Sequence, residues 1–69
     1  MKTDFYEADP FGGGKGDHLC TIETEYRWEK GDEVWVHAGG RDLKLRVTWV
    51  NIHVQEDGTI TRELLGLKL

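Results

Sequence analysis

Leu43-Lys44-Leu45-Arg46-Val47-Thr48-Trp49-Val50-Asn51-Ile52-His53-Val54 changes the parity of its apolar residues partway along. From Leu43 to Trp49 they fall on odd positions, and from Val50 to Val54 on even ones. Successive strand side chains point to opposite faces, so a change of parity moves the buried face to the other side of the sheet. The returning segment repeats the change, with Leu69, Leu67 and Leu65 on one parity and Leu64 and Ile60 on the other. Read together, the two segments predict a long hairpin over 43–69 that inverts at one level, Trp49-Val50 opposite Leu64-Leu65. A straight strand from Leu43 to Gln55 would span roughly 43 Å at about 3.3 Å per residue. That is too long for so small a chain, so the ribbon must bend or project.

The turns set the expected registers. Glu29-Lys30-Gly31 and Glu56-Asp57-Gly58 each place a glycine suited to positive φ after two turn residues, as in a three-residue hairpin loop with a glycine bulge. Gly39-Gly40 suits a two-residue turn. Closing the first loop with Trp28 opposite Asp32 sets Tyr26 against Val34. The second sets Val36 against Leu43 and Val34 against Leu45. The third sets Val54 against Ile60, Val50 against Leu64, Val47 against Leu67 and Leu45 against Leu69. One antiparallel meander satisfies all three, with Ile22, Tyr26, Trp28, Val34, Val36, Leu43, Leu45, Val47, Trp49, Leu65, Leu67 and Leu69 inside. Residues 1–18, with Pro10 and the run Gly12-Gly13-Gly14-Lys15-Gly16, read as an irregular arm. The expected fold is therefore all-β: a four-stranded antiparallel meander over 19–69, strongly bent or closed as a small barrel.

Lys30-Gly31-Asp32-Glu33-Val34 resembles a turn of SH3-like small barrels, in which Gly-Asp enters a strand of alternating valines. The resemblance covers five residues. It implies a small barrel and no particular function, because such barrels host many.

Sixty-nine residues make one domain near the lower limit for an unaided core. The single cysteine, Cys20, allows no internal disulfide, and the opening Met1-Lys2-Thr3-Asp4 has no signal-peptide layout. No apolar run reaches the roughly 20 residues that span a bilayer. A cytoplasmic setting without membrane contact is the expectation, with oligomerisation as an added source of stability. Residues 1–33 carry nine acids and four bases, so the net charge of −4 is concentrated in the front half. This opposes nonspecific nucleic-acid binding and suits a basic protein partner.

Candidate chemistry is sparse. The chain has no serine, and its glycine run lacks the G-x-x-x-x-G-K-[ST] spacing of a phosphate loop. His18 and Cys20, two apart beside Asp17, could share a strand face, but zinc needs further converging ligands. Cys20 shares its parity with Ile22 and Tyr26, which predicts a buried thiol. No enzyme, cofactor or metal is expected. Residues 48–64, the part of the hairpin that extends past the rest of the meander, carry Val50, Ile52, Val54, Ile60 and Leu64 on one face, with Arg62 among them. These six are the candidate partner-binding residues, and outer-face Trp35 is a further candidate. The function expected is a small interaction module, an inhibitor or adaptor, that binds a protein partner through this face as a homodimer. Alternatives are a subunit of a larger ring or tube, and a single-stranded nucleic-acid binder using Trp35, Lys44 and Arg46.

Overall fold

Gly39 and Gly40 both adopt positive φ, 59° and 73°, a conformation that only glycine enters freely. They fold Glu33–Ala38 (β3) back onto Arg41–Val54 (β4), pairing Val36 with Leu43 and Val34 with Leu45 as the two-residue turn requires. β4 returns through Glu56-Asp57-Gly58 into Ile60–Lys68 (β5), with Gln55 N donating to Thr59 O at 2.8 Å. Val54 lies opposite Ile60 and Val50 opposite Leu64, again as expected.

The computed structural model describes residues 1–69, and its first eighteen residues correct the expected fold. The arm is not irregular. Lys2–Ala8 (β1) and Lys15–Glu23 (β2) form a hairpin, and the Gly-rich stretch is its loop, closed by Gly13 N to Asp9 O at 2.7 Å. β1 then lies parallel to β5, Thr3 beside Arg62 and Phe5 beside Leu64. The sheet has five strands in the order β2-β1-β5-β4-β3. It is mostly antiparallel, partly parallel, and strongly curled into a half-barrel rather than a four-stranded SH3-like barrel.

The hairpin expected around Glu29-Lys30-Gly31 is absent, although the turn itself forms, with Asp32 N donating to Glu29 O at 3.0 Å. Residues 24–32 cross from one edge of the curl, β2, to the other, β3. They are held at the far end by Gly31 N to Val47 O at 2.7 Å and Val47 N to Asp32 O at 2.8 Å. β2 finds its partner in β1 instead of β3.

The parity inversion also resolves differently in its two strands. In β4 it is real. Val47 pairs with Gly66 and Trp49 with Leu65, which leaves Thr48 as the extra residue of a β-bulge. The bulge turns Val50 to the face that Val47 occupies, so β4 buries one face along its length by changing parity. β5 does not invert. Arg62, Leu64 and Gly66 all point inward, while Leu65 and Leu67 point outward. Val47 and Leu45 therefore meet Gly66 and Lys68, not Leu67 and Leu69. A methyl group on Gly66 would lie 2.8 Å from Leu45 Cβ, so the missing side chain lets Leu45 pack directly over the backbone there.

The bend follows from the bulge. Fourteen residues of β4 would extend roughly 46 Å if straight, whereas the longest dimension of the molecule is 36 Å. Inside the curl sit Phe5, Val36, Leu43, Leu45, Val47 and Leu64, with Leu19, Cys20, Trp28, Val34, Ala38 and Val50 packed around them. Leu65 and Ala8 are buried outside this cluster. Gly66→Ala is expected to destabilise the fold by about 1–3 kcal/mol through overpacking against Leu45. Leu67→Ala, on the outer face, should lower stability far less; equal losses in urea melts would contradict the assignment of Gly66 to the inner face.

Candidate functional site

The curl does not close on itself. Trp28, carried by the 24–32 connection, stands in its open side and lines all three surface cavities. Its ring meets Phe5 edge-on, centroids 5.1 Å apart, and lies 4.8 Å from Tyr26. Below it is Arg62, whose guanidinium carbon is 5.0 Å from the ring centroid. Arg62 is 6% exposed. Its Nε donates to Thr3 Oγ1 at 3.0 Å and a terminal nitrogen donates to the Thr24 carbonyl at 3.4 Å. One side chain thus ties β5 to β1 and to the start of the connection, where Thr24 N also donates to Met1 O at 3.1 Å.

Beside this pair opens a cavity of about 390 Å³, walled by Trp28, Val50 and Ile52 and rimmed by Glu25 and Arg27. A second cavity of about 270 Å³ lies in the seam between β2 and β3, lined largely by Phe5, Cys20, Ile22, Trp28, Val34 and Val36. Burial pushes the Cys20 thiol upward, with the nearby Asp4 charge adding to the effect. That environment disfavours the thiolate.

The six hairpin candidates share the inner face, but not one environment. Leu64 and Arg62 are buried and Val50 half-buried, covered by this chain's own core. Past them the core ends. Ile52 is 53% exposed, Val54 71% and Ile60 44%. Trp35 is not brought to this place. It sits on the opposite face of the sheet, on β3, which pairs only with the Arg41–Arg46 end of β4. There Trp35 stacks on His37 with ring planes 10° apart, and Lys44 Nζ lies 6.0 Å from its centroid. Glu33 takes Lys44 at 3.2 Å and Arg46 at 3.6 Å. The bases beside Trp35 are thereby paired, which weakens any field for phosphate.

His18 and Cys20 do not share a face. β2 carries an extra residue between them, so Cys20 opposes Phe5 inside while His18 opposes Tyr6 outside. No group of three or more His, Cys, Asp or Glu side chains converges on a point.

The outer face instead carries a polar network that the sequence reading did not anticipate. The parallel pairing sets Asp4 beside Glu63. His18 Nε2 lies 3.1 Å from Asp4 Oδ1, and Thr21 Oγ1 donates to the same oxygen. Lys15 Nζ donates to Glu63 Oε2 at 3.0 Å, while His53 Nε2 and Asn51 Nδ2 reach Oε1 at 3.2 and 3.3 Å. Trp49 Nε1 donates in turn to Asn51 Oδ1 at 2.5 Å. The Lys15 hydrogen bond holds the Glu63 carboxyl below its usual range, with His53 and Asn51 assisting against partial burial. The Thr21 hydroxyl does the same for Asp4, with His18 assisting. Four strands are laced together by these contacts. No spacing within the chain announces them, because Asp4 and Glu63 meet only through the parallel pair.

The chain shows no significant similarity to any protein-family model, curated protein or solved structure.

Both lowered carboxylates contribute stability that is fully present above their ordinary values, 4.5 for Glu63 and 3.8 for Asp4, and is lost as pH falls below these through the lowered ones. Glu63→Gln should reduce stability at neutral pH by about 1 kcal/mol. It should also flatten the fall in unfolding free energy on the acid side. Parallel acid profiles for variant and parent would count against Glu63 as the centre of the network.

Proposed function

We propose that this chain is a small non-enzymatic protein-interaction module that self-associates through the inner face of its β4–β5 hairpin tip. The observation that carries the reading is the exposure of Ile52, Val54 and Ile60 side by side where the core stops. Exposed aliphatics at the tip of a sheet are a liability unless covered. A second copy related by a two-fold axis covers both patches with one self-complementary contact and needs no other partner. The half-open curl favours the same reading, because a core of this size gains from added apolar burial. Three side chains make a small patch, so the association is of the weak class, with dissociation in the micromolar range or above.

The test is molar mass by light scattering across micromolar concentrations, on the parent and on Ile52→Asp and Val54→Asp. The parent is expected to approach twice the monomer mass as concentration rises, with both variants monomeric and their circular dichroism unchanged. A parent that stays monomeric throughout removes self-association as the function of this face.

A further inference from the structure

The interior of the curl contains a cation with no ion-pair partner, although Glu25, which lines the same cavity, feels its charge. Arg62 is nine-tenths buried, yet both acceptors it reaches, Thr3 Oγ1 and the Thr24 carbonyl, are neutral. No carboxylate lies within ion-pair distance of Arg62 or of Arg27 at the cavity rim. The one acid lining the cavity, Glu25, is held by the Met1 amino group. A guanidinium has five N–H donors, and the two bonds to protein leave the others free. Nη1 has no protein partner, and because no sealed side-chain nitrogen is without one, it is open to solvent on a residue that lines the 390 Å³ cavity. The Trp28 ring, Val50 and Ile52 give the cavity wall an apolar side, and Met1, Glu25 and Arg27 complete the lining.

A buried cation without an ion-pair partner, lining a cavity and keeping an unpartnered nitrogen open to solvent, is a recognition element for an anion. Guanidinium matches a carboxylate in a two-pronged geometry, and a partly dehydrated site strengthens the bond. Apolar walls select what the carboxylate is attached to. We infer that the cavity beneath Trp28 binds a carboxylate carried on a short apolar stem, the carboxylate on Arg62 and the stem against Trp28, Val50 and Ile52. The shared chemistry could be presented by a free small acid or by the C-terminal residue of a peptide. Glu25 acts as a competitor at the rim, its negative charge opposing the incoming one. The inference goes beyond self-association at the tip, since Val54 and Ile60 do not line the cavity.

The experiment is a two-dimensional NMR titration of the ¹⁵N-labelled full chain with N-acetylleucine, isocaproate and N-acetylleucinamide. Ligands this small are expected to bind in the millimolar range. Both acids should shift the Val50, Ile52 and Trp28 signals saturably, including the Trp28 indole N–H. The neutral amide should bind at least about tenfold more weakly, because it loses the charge-assisted bonds. Tighter binding of N-acetylleucine than of isocaproate identifies a peptide terminus as the source, and the reverse identifies a free acid. Glu25→Gln should tighten binding of both acids. Arg62→Gln should abolish the preference for acid over amide; Glu25→Gln and the amide comparison decide the matter if that variant does not fold. Val54→Asp should retain acid binding, which separates this cavity from the tip. Equal binding of acid and amide, shifts confined to other residues, or no saturable shift by either acid would overturn the inference.

Discussion

One extra residue in β4 governs the shape of this protein. Thr48 stands between Val47, paired with Gly66, and Trp49, paired with Leu65. Without it the apolar run from Val50 to Val54 would face away from Leu45 and Val47, and a single strand would need burial on both faces of the sheet. With it, β4 keeps one inner face through fourteen residues and bends sharply enough to curl the sheet. The connection that crosses the open side is anchored at the same place, with Gly31 and Asp32 bonded to the Val47 backbone. Bulge, bend and crossing therefore depend on one level of the ribbon.

The crossing brings Trp28 over a region that the strands alone would leave open, and this is where burial becomes polar. Arg62 occupies a strand position that an aliphatic residue could fill. Its aliphatic stem serves as core while its head bonds Thr3 and Thr24 beneath an aromatic ring. Removing a guanidinium from water is unfavourable unless its donors are satisfied and its charge is offset. Two neutral acceptors and a cation–π contact, worth about 0.5–2 kcal/mol, offset that only in part. The residue lines the cavity with one nitrogen still without a protein partner, next to the point where aliphatic side chains become exposed. Apolar tip and charged cavity thus adjoin on one inner face while presenting different chemistry.

Local pairings were legible in the sequence where a turn and a short hydrophobic alternation agreed. Gly39-Gly40 set every pair of the β3–β4 hairpin, and Gly58 set the outer half of β4–β5. The reading failed where it weighed only apolar residues. Leu65, Leu67 and Leu69 looked like one inner stripe, and Gly66 carries no hydrophobic signal although it occupies the inner face. Residues 1–18 differ for another reason: Pro10 and the glycines oppose regular structure only locally. They build a loop between two strands whose alternation, Thr3 and Phe5 against Lys2 and Asp4, was present in the chain. Of the candidate site, the shared face of Val50, Ile52, Val54, Ile60, Arg62 and Leu64 was legible from parity. Which of them this chain covers for itself was not.

By itself the sequence determined an all-β chain, two of its turns with their registers, and a ribbon too long to stay straight, because these depend on backbone preferences of neighbouring residues and on period-two alternation. Only the tertiary structure decided the sheet order, the parallel pairing of the first strand with the last, and the burial of Arg62 beneath Trp28. Each joins residues far apart in the chain. Turn chemistry cannot specify such contacts; they follow from which pairing buries Phe5, Leu45 and Leu64 together, a property of the whole sheet rather than of any segment in it.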